Sequence, residues 1–307
     1  MTTSVRQMSS TDVDAADRVT RLAFGTYRGL TDPTQTFGAA EPVRSRFRAR
    51  PDDAWVAELD GEVVGAVFAT HWGSFGWFGP LAVHPDHWDR GVASELLRPV
   101  LDAFDRWGVS QSALFTFPDS PKHLGLYQKH GFWPGSLTAV MASPAEPLEV
   151  AVPLLSERPT AVAELRSICD EVFPGLELAS EIEAVATQAI GDTVLAVRDD
   201  RVDGFAICHQ GPGSEAAADD CYVKFAAVRP GGSAAATFDE LLAACSAFAA
   251  RSGMQRVVAG VNTTRRGAYH AMADRGFRTT LLGVAMHSHP DGLTLDTPWH
   301  YVLDDLR

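Results

Sequence analysis

Apolar positions along the chain fall into two alternating periods, and the switches between them mark the elements. Residues 54–72, AWVAELDGEVVGAVFATHW, read as two strands around the turn Asp60-Gly61, because β-branched and aromatic residues flank a dipeptide that tolerates positive φ. Before them, SVRQM (4–8) reads as a short strand and residues 9–27 as a capped helix. WFGPLAVHP (77–85) is a further strand in which Gly79-Pro80 predicts a bulge or an edge-like break. From 90 to 107 the period turns helical, with Leu96, Leu97, Val100, Leu101 and Phe104 on one face. Pro99 inside that helix removes a hydrogen bond and predicts a kink. A strand at SQSALFTF (110–117), a helix opening at Ser120-Pro121 and a strand at FWPGSLTAVMA (132–142) follow, and SPAEP (143–147) reads as a linker.

After the linker the same order returns. EVAVPLL (149–155) reads as a strand, and 157–172 and 177–189 as helices. Residues 193–211 read as a two-strand hairpin, 222–230 as a strand, 237–253 as a helix and 255–261 as a strand, and a last helix leads to Gly276-Phe277. A shift of 145 residues places Val83-x-Pro85 on Val228-x-Pro230 and Glu95-Leu96-Leu97 on Glu240-Leu241-Leu242. It also places Gly108 on Gly253 and Gly131-Phe132 on Gly276-Phe277, so the chain reads as an internal repeat of one mixed αβ unit.

Composition narrows the function classes. The 307 residues suffice for two domains, and 46% hydrophobic with 21% charged residues is globular. A net charge of −13 argues against nucleic acid as a standing partner, although a local basic site is enough to hold an anionic ligand. Cys169, Cys208, Cys221 and Cys245 have no ligand-like spacing and read as reduced thiols. The first residues carry no apolar run of signal-peptide length and no segment is long enough to span a membrane, so a cytoplasmic location is the expectation.

Val83-x-Pro85, then Arg90-Gly91-Val92-Ala93-Ser94-x-Leu96-Leu97, and later Leu126-Tyr127-Gln128-Lys129-His130-Gly131-Phe132, resemble the GNAT acetyltransferase superfamily. The resemblance spans both halves in element order and residues 81–132 in sharp motifs. The family's Q/R-x-x-G-x-G/A signature falls on residues 88–93, with Trp88 in the first position where the family has Gln or Arg. It implies an α+β fold of two tandem GNAT-like domains, 1–147 and 148–307, each a twisted mixed sheet flanked by helices and splayed between its fourth and fifth strands. It also implies acetyl-CoA as acyl donor in the cleft, its pantetheine beside Leu81, Ala82 and Val83.

Acetyl transfer from a thioester needs a grip on the pyrophosphate, a deprotonated amine and a proton for the leaving thiolate. The turn formed by Trp88, Asp89, Arg90, Gly91, Val92, Ala93 and Ser94 opens a helix and can offer backbone N–H groups to the pyrophosphate, Arg90 adding charge. The alternative is a plain strand-to-helix connection. Tyr127 matches the family's tyrosine and is the candidate acid; a buried tyrosine with a satisfied hydroxyl is the alternative. His123, one helical turn earlier and in the first turn after Ser120, is kept neutral by the dipole and is a candidate base or a surface residue. Ser120 stands where the family often has asparagine.

The amine site is less determined. His71, Trp72 and Trp77, with Phe75 and Phe78, either line an aromatic acceptor pocket or, the leading alternative, belong to a core or interdomain contact. No Glu or Asp lies in 71–83 to serve as base. His287, His289 and His300 lack a carboxylate at ligand spacing and define no metal site. Under the 145-residue shift, Gly91 becomes Ala236, Ala93 becomes Phe238 and Tyr127 becomes Met272, so the second half reads as a copy that has lost acyl transfer. A separate anion loop at Gly231-Gly232-Ser233 is the contrary reading.

The function that follows is acetyl transfer to a primary amine of a small molecule, with no nucleic acid or membrane partner and a homodimer allowed. A non-catalytic acyl-CoA-binding or sensing protein, and an acetyltransferase of a protein amine, stay open.

Overall fold

The computed structural model describes residues 3–289, 297 and 299–306. In chain order its elements are β1 (Ser4–Gln7), α1 (Val13–Tyr27), α2 (Pro42–Ala49), β2 (Ala54–Leu59), β3 (Glu62–Trp72), β4 (Phe75–Val83), α3 (Val92–Trp107), β5 (Gln111–Thr116), α4 (Pro121–Lys129) and β6 (Trp133–Pro144). The second half continues with α5 (Val162–Val172), α6 (Ala179–Gln188), β7 (Gly191–Arg198), β8 (Arg201–His209), β9 (Asp220–Val228), α7 (Ala234–Arg251), β10 (Arg256–Asn262), α8 (Arg266–Asp274), β11 (Arg278–His287) and β12 (Val302–Leu303). The 145-residue shift reaches the elements themselves: β9, β10, α8 and β11 start 145 residues after β4, β5, α4 and β6.

Two readings of the sequence change. EVAVPLL forms no strand; Pro153 interrupts it, Leu154 makes a single bridge to Val194, and Leu155–Glu157 close a short turn of three-ten helix. The linker begins later than its composition suggests, because Ser143 and Pro144 extend β6 and pair with Val257 and Arg256. α3 runs from Val92 to Trp107 as one helix with Pro99 inside it.

Among the described residues all twelve strands belong to one sheet ordered β1-β2-β3-β4-β5-β11-β6-β10-β9-β8-β7, with β12 added against β9. The two halves exchange their last strands. β11 pairs antiparallel with both β5 and β6, while β6 reaches across to pair with β10. Val284 and Met286 of β11 consequently pack in the core of the first half, and Ala139 and Met141 of β6 in that of the second. A third core joins the halves, where Trp72, Phe75 and Trp77 pack on Phe173, Phe205 and Phe225. The four cysteines are free and buried. Among the described residues no helix is long and apolar enough to cross a membrane.

Two local features shape the site. β4 gains one residue over β3 between Phe78 and Leu81, the bulge that Gly79-Pro80 predicts. β4 and β5 run parallel and pair only at Phe75–Trp77 with Gln111–Ala113. Beyond Trp77 they part, and the edge of β4 facing β5 has no strand partner.

Candidate active site

The fork between β4 and β5 opens into a cleft of about 620 Å³. One wall is Leu81, Ala82 and Val83 of β4, continued by Trp88, Asp89, Gly91, Val92, Ala93 and Ser94. The other is Ser120, His123 and Tyr127. Of the residues the sequence assigned to donor binding and chemistry, the cleft gathers all but Arg90, which lies on the exposed side of the turn.

The turn is built by two left-handed residues. Asp89 has φ +62° and Gly91, capping α3, has φ +82°. A Cβ on Gly91 would meet no atom within 4 Å, so the backbone angle, not space inside the protein, is what calls for glycine. The opening turn of α3 thereby presents unpaired N–H groups and the positive end of its dipole beside the cleft. Trp88 explains its own departure from the family pattern: its Nε1–H donates to the Val83 carbonyl at 2.7 Å and ties the turn to the end of β4. Lys122 Nζ lies 2.7 Å from Asp89 and over the Trp88 ring, which joins α4 to the same turn.

Tyr127 is buried, its ring edge-on to Phe78 at 5.8 Å. Burial pushes its pKa well above the ordinary phenol value, against a hydrogen bond with Thr116 that lowers it. It is therefore a neutral phenol at the cleft wall. Ser120 caps α4 and accepts from the His123 N–H at 3.4 Å. Burial, then the charge of Lys122, lowers the His123 pKa, and its Nδ1 is enclosed without a partner. The ring sits 5.0 Å from Tyr27, whose own ring is 4.6 Å from Phe117. Phe24 and Phe37 extend this aromatic wall, so the end of α1 closes over one side of the fork.

The acceptor pocket drawn from His71, Trp72 and Trp77 is not there. None of the three lines the cleft. Trp72 and Trp77 are 1% exposed in the core that joins the halves, and Trp72 Nε1–H donates to Glu181 at 2.9 Å. His71 stacks on Trp107 at 4.8 Å. The leading alternative, a core between the halves, is what Trp72 and Trp77 form, because in a sheet covered on both sides an aromatic position says little about which cavity it meets.

In their place, the inner end of the cleft takes Arg46 from α2 and Glu215, Tyr222 and Leu306 from the second half. Glu215 lies in the run GPGSEAAADD, which has no periodicity, and no signal in the sequence joins it to β4. Its carboxylate accepts from Arg46 Nη2 at 2.5 Å and from Lys224 Nζ at 2.7 and 2.8 Å. Although burial opposes ionisation, these two cations hold Glu215 well below the usual carboxylate range.

The corresponding fork of the second half is filled by the chain itself. β9 and β10 pair only over Asp220–Val223 and Arg256–Ala259, and β12 then lies along β9, with Val302 on Ala227 and Leu303 on Ala226. Tyr301 packs on Phe238 at 5.2 Å, and buried Arg265 bonds Asp304 at 2.7 Å. A Cβ at Gly267 would strike Tyr301, and one at Gly260 would strike Asp305. Ser233, at the head of α7, has φ −91° and not the left-handed angle of Gly91, and Met272 replaces Tyr127 in the core.

The first half sets a forked sheet and a glycine-capped helix opposite a buried tyrosine, and the second half repeats the element order with its fork closed and without the glycine cap or the tyrosine. Residues 21–132 match the family described as acetyltransferase (GNAT). An acetyltransferase of Pectobacterium atrosepticum is 34% identical over 87 residues, 28% of this chain; the chain spans only 62% of that relative. A candidate acetyltransferase from Pyrococcus horikoshii superposes with a TM-score of 0.70 at 16% identity, over 97% of this chain and 93% of its own. A GCN5-related N-acetyltransferase from Sphaerobacter thermophilus gives 0.64 at 17% identity, over 96% and 98%. At those identities the likeness is one of fold.

Proposed function

We propose that the chain is an acetyl-CoA-dependent N-acetyltransferase that works in the first half, residues 1–147, on a primary amine of a small molecule. Residues 148–307 form the copy that has lost acyl transfer and shapes the site. One observation carries this reading: the left-handed turn at Gly91 and Tyr127 line the same cleft. A module that only bound acyl-CoA would need the turn alone.

Acetyl-CoA would lie with its pyrophosphate at residues 88–94 and its thioester near Tyr127, where it supplies the activated acyl group. The amine attacks the thioester carbonyl, the C–N bond forms as the C–S bond breaks, and Tyr127 gives its proton to the thiolate. His123, neutral near pH 7 and with Nδ1 unpartnered, is placed to take the proton the amine sheds. The aromatic contacts of Tyr27 and Phe24 with Phe117 narrow the cleft on the α1 side, which supports a small acceptor over a polypeptide. We place the chain in the cytoplasm and leave a homodimer open.

The test is CoA release from acetyl-CoA against a panel of small amines and of peptides with free N-termini or lysines. Release with small amines is the expected result. Release with peptides only would move the acceptor to a protein amine, and CoA binding without release to any acceptor would leave a binding or sensing protein.

A further inference from the structure

The bulge on β4 sits where both of its ladders let go. Relative to β3 the strand carries an extra residue between Phe78 and Leu81, and its pairing to β5 ends at Trp77. Pro80 has no N–H to donate. The orientation of the Gly79 carbonyl, and with it of the neighbouring peptide groups on the cleft edge, therefore has to be fixed by something other than the sheet.

That something is Arg46. Its Nη1 donates to the Gly79 carbonyl at 2.5 Å, its Nη2 to Glu215 Oε2 at 2.5 Å, and its guanidinium lies 5.0 Å from the centroid of the Trp77 ring. Lys224 sits 4.9 Å from the same ring and holds both oxygens of Glu215. All three charged groups are buried. Buried ion clusters give little net stability over apolar packing of the same volume, and what they add is geometry. Arg46 belongs to the first half and Glu215 to the second, so the clamp runs from the second copy to the backbone of the fork.

We propose that Arg46, anchored by Glu215 of the second half, is a positioning residue for acyl transfer: through Gly79 it sets the peptide groups of the β4 bulge that face the acyl end of the cleft. The proposal rests on the reading that this fork takes acetyl-CoA. It gives the second copy a task in the reaction without a donor site of its own.

Three single variants separate positioning from general damage to a buried cluster. Arg46→Met removes the donor to Gly79, leaves Glu215 and Lys224 as a balanced pair and keeps an apolar stem beside Trp77. Glu215→Gln releases Arg46 from its anchor. Lys224→Met leaves Arg46 bonded to both Glu215 and the Gly79 carbonyl. The first two should lower kcat by about tenfold to a hundredfold, the scale expected when a reacting centre is displaced by about 1 Å. The affinity for CoA by calorimetry, governed by the remote turn at 88–94, should stay near wild type in all three. Lys224→Met should retain most of the turnover. If Glu215→Gln does not fold, Arg46→Met carries the test.

Equal losses in all three variants, a parallel loss of CoA affinity, or full turnover in Arg46→Met would overturn the positioning role. A wild-type chain that releases no CoA with any amine would remove the acetyl-transfer reading and the positioning role together. Active wild type with undisturbed Arg46→Met would remove only the latter.

Discussion

Gly91 and Tyr127 carry separable parts of the proposed reaction. A Cβ at 91 meets no atom within 4 Å, yet φ +82° costs a β-branched residue more than the roughly 1–2 kcal/mol charged to an ordinary side chain. The turn would rearrange and the N–H groups at the head of α3 would turn away. Gly91→Val should keep its circular dichroism spectrum and lose measurable affinity for CoA; retained affinity would reduce the turn to a connection. Tyr127→Phe keeps the ring against Phe78 and removes only the hydroxyl, so turnover should fall by about tenfold to several thousandfold with acetyl-CoA affinity near wild type. Unchanged turnover with a genuine acceptor would reassign the acid. His209 makes a third test. It is 2% exposed with both ring nitrogens unpartnered, and burial pushes its pKa down to about 4, Glu215 pulling the other way. The unfolded chain then binds more protons than the native state between about pH 6.5 and pH 4. Stability should fall as pH drops through that window, and His209→Met should flatten the fall in melting temperature. An unaltered pH profile would mean that His209 ionises freely in the fold.

At the scale of elements, β12 decides what the second copy can do. Val302 and Leu303 occupy the parting between β9 and β10, the position that stays open between β4 and β5 in the first copy. Leu303 is buried with its neighbours closed around it, so Leu303→Ala should cost about 2–5 kcal/mol in chemical denaturation. A cost within experimental error would show that β12 is loosely held and that the second fork can open. The β6 and β11 exchange has its own consequence. A fragment of residues 1–147 would lack β11 between β5 and β6, while β6 would lose its partner β10. Exposed strand edges of that kind recruit other chains. The fragment should elute as oligomer or aggregate, and a monodisperse monomer binding CoA with full affinity would contradict the exchange.

For the molecule as a whole, a count of folds suggests two donor sites, whereas the geometry allows one. Phe238, β12 and the Arg265–Asp304 pair fill the second fork, and its helix α7 starts without the left-handed turn. Placing a pyrophosphate there would set its charge against Phe238 and β12, with the Arg265 guanidinium already bonded to Asp304 and the Val302 carbonyl, at a cost of several kcal/mol. Calorimetry of the intact chain should give about one CoA per chain, and Gly91→Val should bring it to zero. A stoichiometry near two would make the second copy a donor site as well.

Much of this was open to reading from residues alone, because it depends on neighbours in sequence. The bulge followed from Gly79-Pro80, the cap of α4 from Ser120-Pro121, and the turn at 88–94 from a glycine that begins a helix. The repeat showed itself in a shift that the starts of β9, β10, α8 and β11 reproduce. Phe238 and Met272 marked the altered copy, although its cleft is closed chiefly by a segment some 60 residues beyond Phe238. Other features depended on which distant residues meet. Trp72 and Trp77 have a composition suited to a pocket, and burial against the second half made them core. Glu215 sits in an aperiodic polar run, and only the packing of the two halves brings it to Arg46 and the fork. Local propensity and spacing set the elements, the turn and the copy count. Strand exchange and inter-half burial, which no local pattern encodes, decided who lines the cleft and which fork stays open.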